Sequence, residues 1–154
     1  MKVASIQMVS GTQLEANLQH ARKALEHAAQ AGAELAVLPE YFCLMGRQDT
    51  DKLALAEQPG RGPIQAMLQQ AARELGLWVV GGTLPMATTD PHHVANTTLV
   101  WNPQGDTVAR YDKIHLFRFD NGRERYDEAA VLQAGDIPTT FDLTSREGQQ
   151  WRVG

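Results

Sequence analysis

A carboxylate and a lysine stand at two positions where this sequence could support catalysis. Glu40 directly follows the apolar segment 35–39. The carboxyl ends of buried strands are where open α/β sheets bind their ligands. A carboxylate at such a position can act as a general base. A solvated loop glutamate fits the same position, so position alone leaves both interpretations open.

Lys113 lies within the segment Tyr-Asp-Lys-Ile-His-Leu-Phe, residues 111–117, among apolar neighbours. Alternation along a strand would place Lys113 on the same side as Tyr111 and His115. A lysine in apolar surroundings needs a carboxylate partner or a functional role. The plainer interpretation is a surface lysine at the end of a strand. His115 alone is more typical of a hydrogen-bonded structural histidine than of a catalyst.

The other reactive side chains match no metal or nucleotide motif. His92 and His93 are adjacent, lack helical ligand spacing and have no Cys or His cluster beside them, so we expect no metal. The segment Gly60-Arg61-Gly62 could hold an anion at the start of a helix. Cys43, three residues after Glu40, is more typical of a small buried hydrophobic residue than of a nucleophile.

The elements around these residues follow the order of an α/β fold. Residues 12–15 match a capping box, and two apolar helical stripes end at Gly32 and Gly76. Strand, helix and strand within the first 40 residues favour a parallel sheet covered by helices. The polar segment 118–127 predicts a loop. Strands are expected at 3–9, 34–38, 77–83, 95–101, 107–111, 139–143 and 151–153.

Composition indicates one globular domain over residues 1–154, with 43% hydrophobic and 21% charged residues. A net charge of −4 gives no basic surface for nucleic acid or an anionic membrane. The apolar runs are too short to span a bilayer, and the N-terminus does not resemble a signal peptide. A single cysteine, Cys43, fits a reducing compartment, so we expect a cytoplasmic protein.

Taken in order, the motifs resemble the nitrilase superfamily of carbon–nitrogen hydrolases. Residues 3–8, Val-Ala-Ser-Ile-Gln-Met, are similar to the family's N-terminus, and residues 32–40, ending in Leu-Pro-Glu, to the segment with its catalytic glutamate. Residues 111–117 are similar to the segment with its catalytic lysine. Glu128, seven residues before Gly135, matches the position of its second glutamate. The resemblance covers essentially the whole chain.

This resemblance implies a Cys-Glu-Lys amidase that hydrolyses a small-molecule amide and needs no metal or organic cofactor. Glu40 would be the general base, Lys113 would stabilise the oxyanion, and Glu128 would hold both and help keep Lys113 protonated. The small-amidase branch, acting on ω-amides or deaminated glutathione, is the most similar. An arginine from the loop 118–125 could bind a substrate carboxylate, although a solvated charged loop fits that segment as well.

The resemblance also implies that part of the enzyme lies outside this sequence. The family's cysteine follows just beyond the position of Gly154, and its α-β-β-α sandwich is nearly twice as long. We therefore expect the N-terminal half of one such domain, inactive alone and homo-oligomeric in its full-length form. One alternative is a non-catalytic module that binds a partner through an exposed sheet edge. Another is a separate thiol enzyme that depends on Cys43.

Overall fold

Two helices lie on one face of a mixed sheet in the computed structural model, which describes residues 1–154. In chain order the elements are β1 (Val3–Ser5), α1 (Leu14–Gln30), β2 (Leu35–Val37), α2 (Pro63–Leu75), β3 (Trp78–Val80), β4 (Leu84–Ala87), β5 (Val94–Trp101), β6 (Thr107–Asp112), β7 (Arg118–Asp120), β8 (Arg125–Asp127), β9 (Leu132–Gln133), β10 (Phe141–Thr144) and β11 (Gln150–Val153). Short 3₁₀ turns cover Asp49–Leu55 and Glu128–Ala130.

The eight-residue strand β5 organises the main sheet, because four other strands pair with it. Strands β1, β2 and β3 are parallel neighbours, in that order. Strand β5 then runs antiparallel to β3, β4 and β6 and parallel to β9. The ends of several distant segments are thereby brought to one strand. The α/β class expected from the sequence is confirmed.

The core lies between the helices and one face of the sheet. Helix α1 buries Leu18, Ala21 and Leu25, spaced at helical intervals, and α2 buries Ile64 and Leu68. Full burial of such a leucine or isoleucine is worth about 1.5–3 kcal/mol. Alternation on the strands supplies the facing side chains, namely Ala36, Val79, Ala95, Leu99 and Trp101. Neither helix is long and apolar enough to cross a membrane.

The opposite face of the sheet borders an open apolar groove of about 590 Å³. The hairpin β10–β11 lies along this groove, where Phe141 stacks on Trp78 of β3 with ring centroids 6.2 Å apart. The Trp78 indole N–H also donates to the Thr144 carbonyl at 3.3 Å. The side chains along the sheet side of the groove are Leu35, Val37, Val80, Thr98, Val100 and Ala109.

Most of the expected helices and strands are present. Pro63 is the first residue of α2, and Gly76 ends it in the left-handed conformation at φ 61°. The hairpin β5–β6 forms around the turn 102–106. Strands β10 and β11 overlap the segments expected at 139–143 and 151–153, and they pair as a hairpin.

Three local predictions are wrong. No capping box forms at 12–15: the cap residue is Gln13, without a side-chain bond, and Glu15 instead accepts from Gln19. The single strand expected at 77–83 is interrupted at Gly81–Gly82, after which β4 begins. The segment 118–127 is a hairpin and not a loop, because Gly122 adopts φ 79° in an Asn-Gly turn.

We expect Gly82→Ala to destabilise the chain by more than a left-handed backbone alone explains. Gly82 has φ 56°, and a Cβ there would lie 2.1 Å from the Pro39 carbonyl oxygen. Gly76 has a similar φ of 61° with no atom within 4 Å of a Cβ, so Gly76→Ala is the matched control. The control should cost about 1–2 kcal/mol in urea unfolding, and Gly82→Ala clearly more. Equal costs would mean that the loop around Pro39 yields to the extra methyl group.

Candidate active site

Lys113 lies between two carboxylates that come from distant parts of the chain. Its Nζ is 3.0 Å from Glu40 Oε1 and 3.0 Å from Glu128 Oε2. It also donates to Glu128 Oε1 at 3.2 Å. Glu40 and Lys113 are 73 residues apart in sequence, so only the fold brings them together. The structure thus brings together the three side chains to which the family resemblance gave catalytic roles.

Glu40 lies just past β2, on a loop that contacts the connection between β3 and β4 and the strand β5. The Tyr41 N–H donates to Thr83 Oγ1 at 2.9 Å, and Gly82 packs against Pro39. Tyr41 has φ 54°, a left-handed conformation that a bulky residue rarely adopts. The Asn96 side-chain amide donates to Glu40 Oε1 at 2.8 Å. The direction of the Glu40 carboxylate therefore depends on this loop and on β5.

Lys113 directly follows β6, and its backbone continues the bonding to β5. Its N–H donates to the Asn96 carbonyl at 2.9 Å, and its own carbonyl accepts from Gly135 at 2.9 Å. Gly135 approaches so closely that a Cβ would lie 2.3 Å from the Asp112 carbonyl oxygen. The backbone on both sides of Lys113 is thus fixed before its side chain reaches the carboxylates.

Glu128 starts the short turn after β8 and is the most enclosed of the three side chains, with 16% of its surface exposed. Its Oε2 accepts the Phe117 N–H at 2.6 Å, while its own N–H donates to the Phe117 carbonyl at 3.0 Å. The Tyr41 hydroxyl donates to Oε1 at 3.2 Å. Together with Lys113, these donors use both oxygens of the Glu128 carboxylate.

The charges in the site hold Lys113 and Glu128 ionised. Burial alone would lower the pKa of Lys113, but hydrogen bonds and charge from Glu128 and Glu40 outweigh it, and the pKa is raised. Burial alone would raise the pKa of Glu128, but the bonds from Phe117 and Lys113 lower it overall. Burial, with two nearby carboxylates, raises the pKa of Tyr41. Near neutral pH, Lys113 is a cation and Tyr41 a neutral donor.

The two carboxylates differ in exposure and in hydrogen bonding, and this difference suits them to different roles. Glu128 is enclosed and accepts bonds on both oxygens, so it is suited to holding its neighbours. Glu40 is 47% exposed, and its Oε2 accepts no hydrogen bond from the chain. A carboxylate oxygen that is free and accessible can take a proton, and a fixed ammonium can stabilise a developing negative charge.

Cys43 is close to this site in sequence but belongs to the core. It is 1% exposed, and Sγ has only a weak contact with the Thr83 carbonyl at 3.7 Å. Burial raises the pKa of the Cys43 thiol to about 12. A buried thiol that stays protonated near neutral pH is a poor nucleophile.

The remaining sequence candidates lie outside the site. His115 borders the apolar groove, and His93 Nδ1 lies 2.7 Å from Asp90 Oδ2. No group of three or more His, Cys, Asp or Glu side chains is placed to hold a metal ion. The anion position at the start of α2 is occupied by the chain itself, because Glu57 Oε1 accepts the Ile64 N–H at 2.6 Å.

Two contributors to the site were not singled out from the sequence. Asn96 is a polar residue within an otherwise apolar, alternating strand. Such a residue must find partners when the strand is buried. Tyr41 offered no comparable signal, because its contact with Glu128 spans 87 residues and depends on a left-handed backbone.

Comparison with known proteins gives a consistent set of relatives. A profile of the family described as carbon-nitrogen hydrolase matches residues 2–150. A chloroplastic omega-amidase from Arabidopsis thaliana is 35% identical over 130 residues, 82% of this chain and 35% of that protein. A deaminated glutathione amidase from Yersinia enterocolitica is 32% identical over 143 residues, 91% of this chain and 49% of that protein.

Solved structures show the same relationship in three dimensions. Saccharomyces cerevisiae Nit3, described as a member of branch 10 of the nitrilase superfamily, superimposes with a TM-score of 0.79 and 26% identity. The match covers 97% of this chain and 53% of that one. The chain thus spans about half, or less, of the length of these relatives.

We expect Glu128→Gln to lower the free energy of unfolding by about 1–3 kcal/mol near neutral pH, because it weakens an enclosed, charge-assisted network. The folded-state pKa of Glu128 lies below its ordinary value of 4.5. Its stabilising effect is therefore full above that value and is lost as pH falls through the folded pKa. Urea unfolding near neutral pH and near pH 3 should show the deficit shrinking in acid. Glu147→Gln, in the β10–β11 turn, is the control, and an equal deficit at both pH values would contradict the assignment.

Cys43 should resist alkylation in the folded chain. With a thiol pKa of about 12, its thiolate is scarce near pH 8, and the surrounding core blocks the reagent. Iodoacetamide should label the native chain at least about 100-fold more slowly than the urea-unfolded chain, as followed by mass spectrometry. Rapid labelling of the native chain would instead make Cys43 a candidate nucleophile.

Proposed function

Because the chain belongs to the carbon–nitrogen hydrolase family, we propose that it provides the glutamate, lysine and second glutamate of an amide-hydrolysing site. The observation on which the proposal rests is the placement of the Lys113 ammonium between Glu40 and Glu128, at 3.0 Å from each. The nucleophile would be a cysteine thiol supplied by protein beyond these 154 residues. Cys43 does not fit that role.

In the proposed reaction Glu40 takes the thiol proton as the sulfur attacks the amide carbonyl carbon. The carbonyl oxygen becomes an oxyanion, which the Lys113 ammonium stabilises by charge and hydrogen bonding. The C–N bond then breaks as protonated Glu40 returns its proton to the nitrogen, so ammonia leaves and a thioester remains. Water, deprotonated by Glu40, attacks the thioester, releasing the carboxylate product and restoring the thiol.

Glu128 has a supporting role in this scheme. It binds Lys113 through both oxygens and is itself held by Phe117 and Tyr41. A second carboxylate beside Lys113 keeps the amine protonated even while Glu40 carries a proton and is neutral. The oxyanion therefore meets a cation at each stage of the cycle. No metal or organic cofactor takes part in this mechanism.

The substrate class we propose is a small amide, either an ω-amide or deaminated glutathione, following the relatives named omega-amidase and deaminated glutathione amidase. The full-length form is proposed to be a homo-oligomer. A cytoplasmic location stays a prediction, since one relative is named as chloroplastic.

A non-catalytic binding module is the second candidate, and the open apolar groove beside the sheet favours it. Monomeric proteins rarely expose a large contiguous apolar surface, so in this second candidate a partner protein would cover the groove. The sheet edge at β1 contributes only three residues, which makes the groove a more extensive surface than that edge. Ammonia release from an amide by any form of the protein would favour the amidase over the binding module.

The test is ammonia release from a panel of ω-amides and deaminated glutathione. The 154-residue chain is assayed beside a version extended by the region that completes the length of the relatives. We expect activity only in the extended version. In that version Glu40→Gln and Lys113→Met should each lower kcat by about 100-fold or more.

Matched controls make the assay decisive. Cys43→Ala and Glu147→Gln should leave the extended version active, because neither side chain contacts the site. Activity in the short chain that disappears with Cys43→Ala would overturn the proposed nucleophile and mechanism. An inactive extended version that binds a partner through the groove would favour the binding module.

A further inference from the structure

Asn96 is a buried polar residue, the third of β5, with 2% of its surface exposed. Alternation places its side chain on the same face as Thr98 and Val100, which border the apolar groove. A carboxamide removed from water costs free energy unless it is hydrogen-bonded. The partner of this amide is Glu40, whose Oε1 accepts the Nδ2–H at 2.8 Å.

The backbone of Asn96 also holds the other principal residue of the site. Its carbonyl accepts the Lys113 N–H at 2.9 Å. One residue of β5 therefore contacts Glu40 through its side chain and Lys113 through its main chain. Asn96 thus links the position of the base to the position of the cation.

Both donors that reach Glu40 bind the same carboxylate oxygen. Asn96 Nδ2 and Lys113 Nζ both donate to Oε1, at 2.8 and 3.0 Å. A carboxylate oxygen has two lone pairs in the plane of the group, so these two donors saturate Oε1. Oε2 accepts no hydrogen bond from the chain, and the side chain is 47% exposed. The two oxygens of Glu40 are thereby made chemically different.

We propose that Asn96 is a positioning residue that fixes Glu40 through Oε1 and leaves Oε2 as the oxygen that exchanges protons. This inference rests on the proposed role of Glu40 as the general base. Lys113 alone would leave the half-exposed Glu40 side chain free to swing into solvent, since a single exposed ion pair fixes a side chain only weakly. The second donor, on a rigid strand, removes that freedom and directs Oε2 away from Lys113.

The test uses the 154-residue chain and does not depend on catalysis. In a chain labelled with ¹⁵N and ¹³C, scalar couplings across hydrogen bonds join Lys113 Nζ to each carboxylate carbon that accepts from it. At low temperature and mildly acidic pH, the wild type should show couplings to both Glu40 and Glu128. Asn96→Leu removes the amide donor at similar side-chain size and should abolish the Glu40 coupling while the Glu128 coupling remains.

Two further variants make the result interpretable. Asn96→Asp keeps the shape but replaces the donor with an acceptor, so it should displace Glu40 in the same way if Asn96→Leu fails to fold. Thr97→Val is the matched control, because Thr97 is on the same strand and bonds Asp112 Oδ1 at 2.6 Å instead of Glu40. The control should keep both couplings.

Each outcome decides the proposal. Selective loss of the Glu40 coupling supports it. Retention of both couplings overturns it, because Lys113 alone would then position Glu40. Loss of both couplings, or of the fold in both Asn96 variants, also overturns it and makes Asn96 a general stabilising residue. If the ammonia assay fails while the Glu40 coupling is lost selectively, the amidase function is rejected but the role of Asn96 in positioning Glu40 stands.

Discussion

A protonated amine between two carboxylates is the interaction on which the arrangement of this chain depends. Two glutamates this close would repel each other, and Lys113 at 3.0 Å from both removes that repulsion. Partly burying charges is costly unless each has several well-placed partners. Glu128 obtains them from Phe117 and Tyr41, and Glu40 from Asn96. The ends of β2, β6 and β8 must therefore meet at one place.

Strand β5 makes that meeting possible because its two faces and two edges serve different purposes. One face carries Leu99 and Trp101 into the core beneath the helices, and the other presents Asn96 toward Glu40. One edge pairs with β3 and β4, and the other with β6 and β9. The stability of the core and the geometry of the site are thus coupled through the same eight residues. A shift in the register of β5 would disturb both.

Regular periodicity made the helices and strands predictable. The contacts between residues that are far apart in sequence could not be predicted in the same way. The apolar spacing of α1 and α2 depends only on neighbouring residues and can be read from the sequence. The same holds for Pro63 and Gly76 at the two ends of α2. Glu40, Lys113 and Glu128 were identified through position and family resemblance, but their mutual distances follow only from the fold. The hairpin β7–β8 was missed because polar composition outweighed a short Asn-Gly turn. The capping box failed because Gln13, and not Thr12, precedes the first helical residue.

This chain itself supplies every donor that holds Glu40 and Glu128 in place. Lys113 bonds both carboxylates, Asn96 bonds Glu40, and Tyr41 and Phe117 bond Glu128. In the proposed mechanism the base and the cation are therefore oriented before any thiol or substrate arrives. Fixed dipoles and charges lower a barrier because they need no reorganisation as charge develops. The left-handed backbone of Tyr41, at φ 54°, fits this interpretation, since such conformations persist only where surrounding contacts enforce them. In this conformation the Tyr41 hydroxyl reaches Glu128, which in turn bonds Lys113.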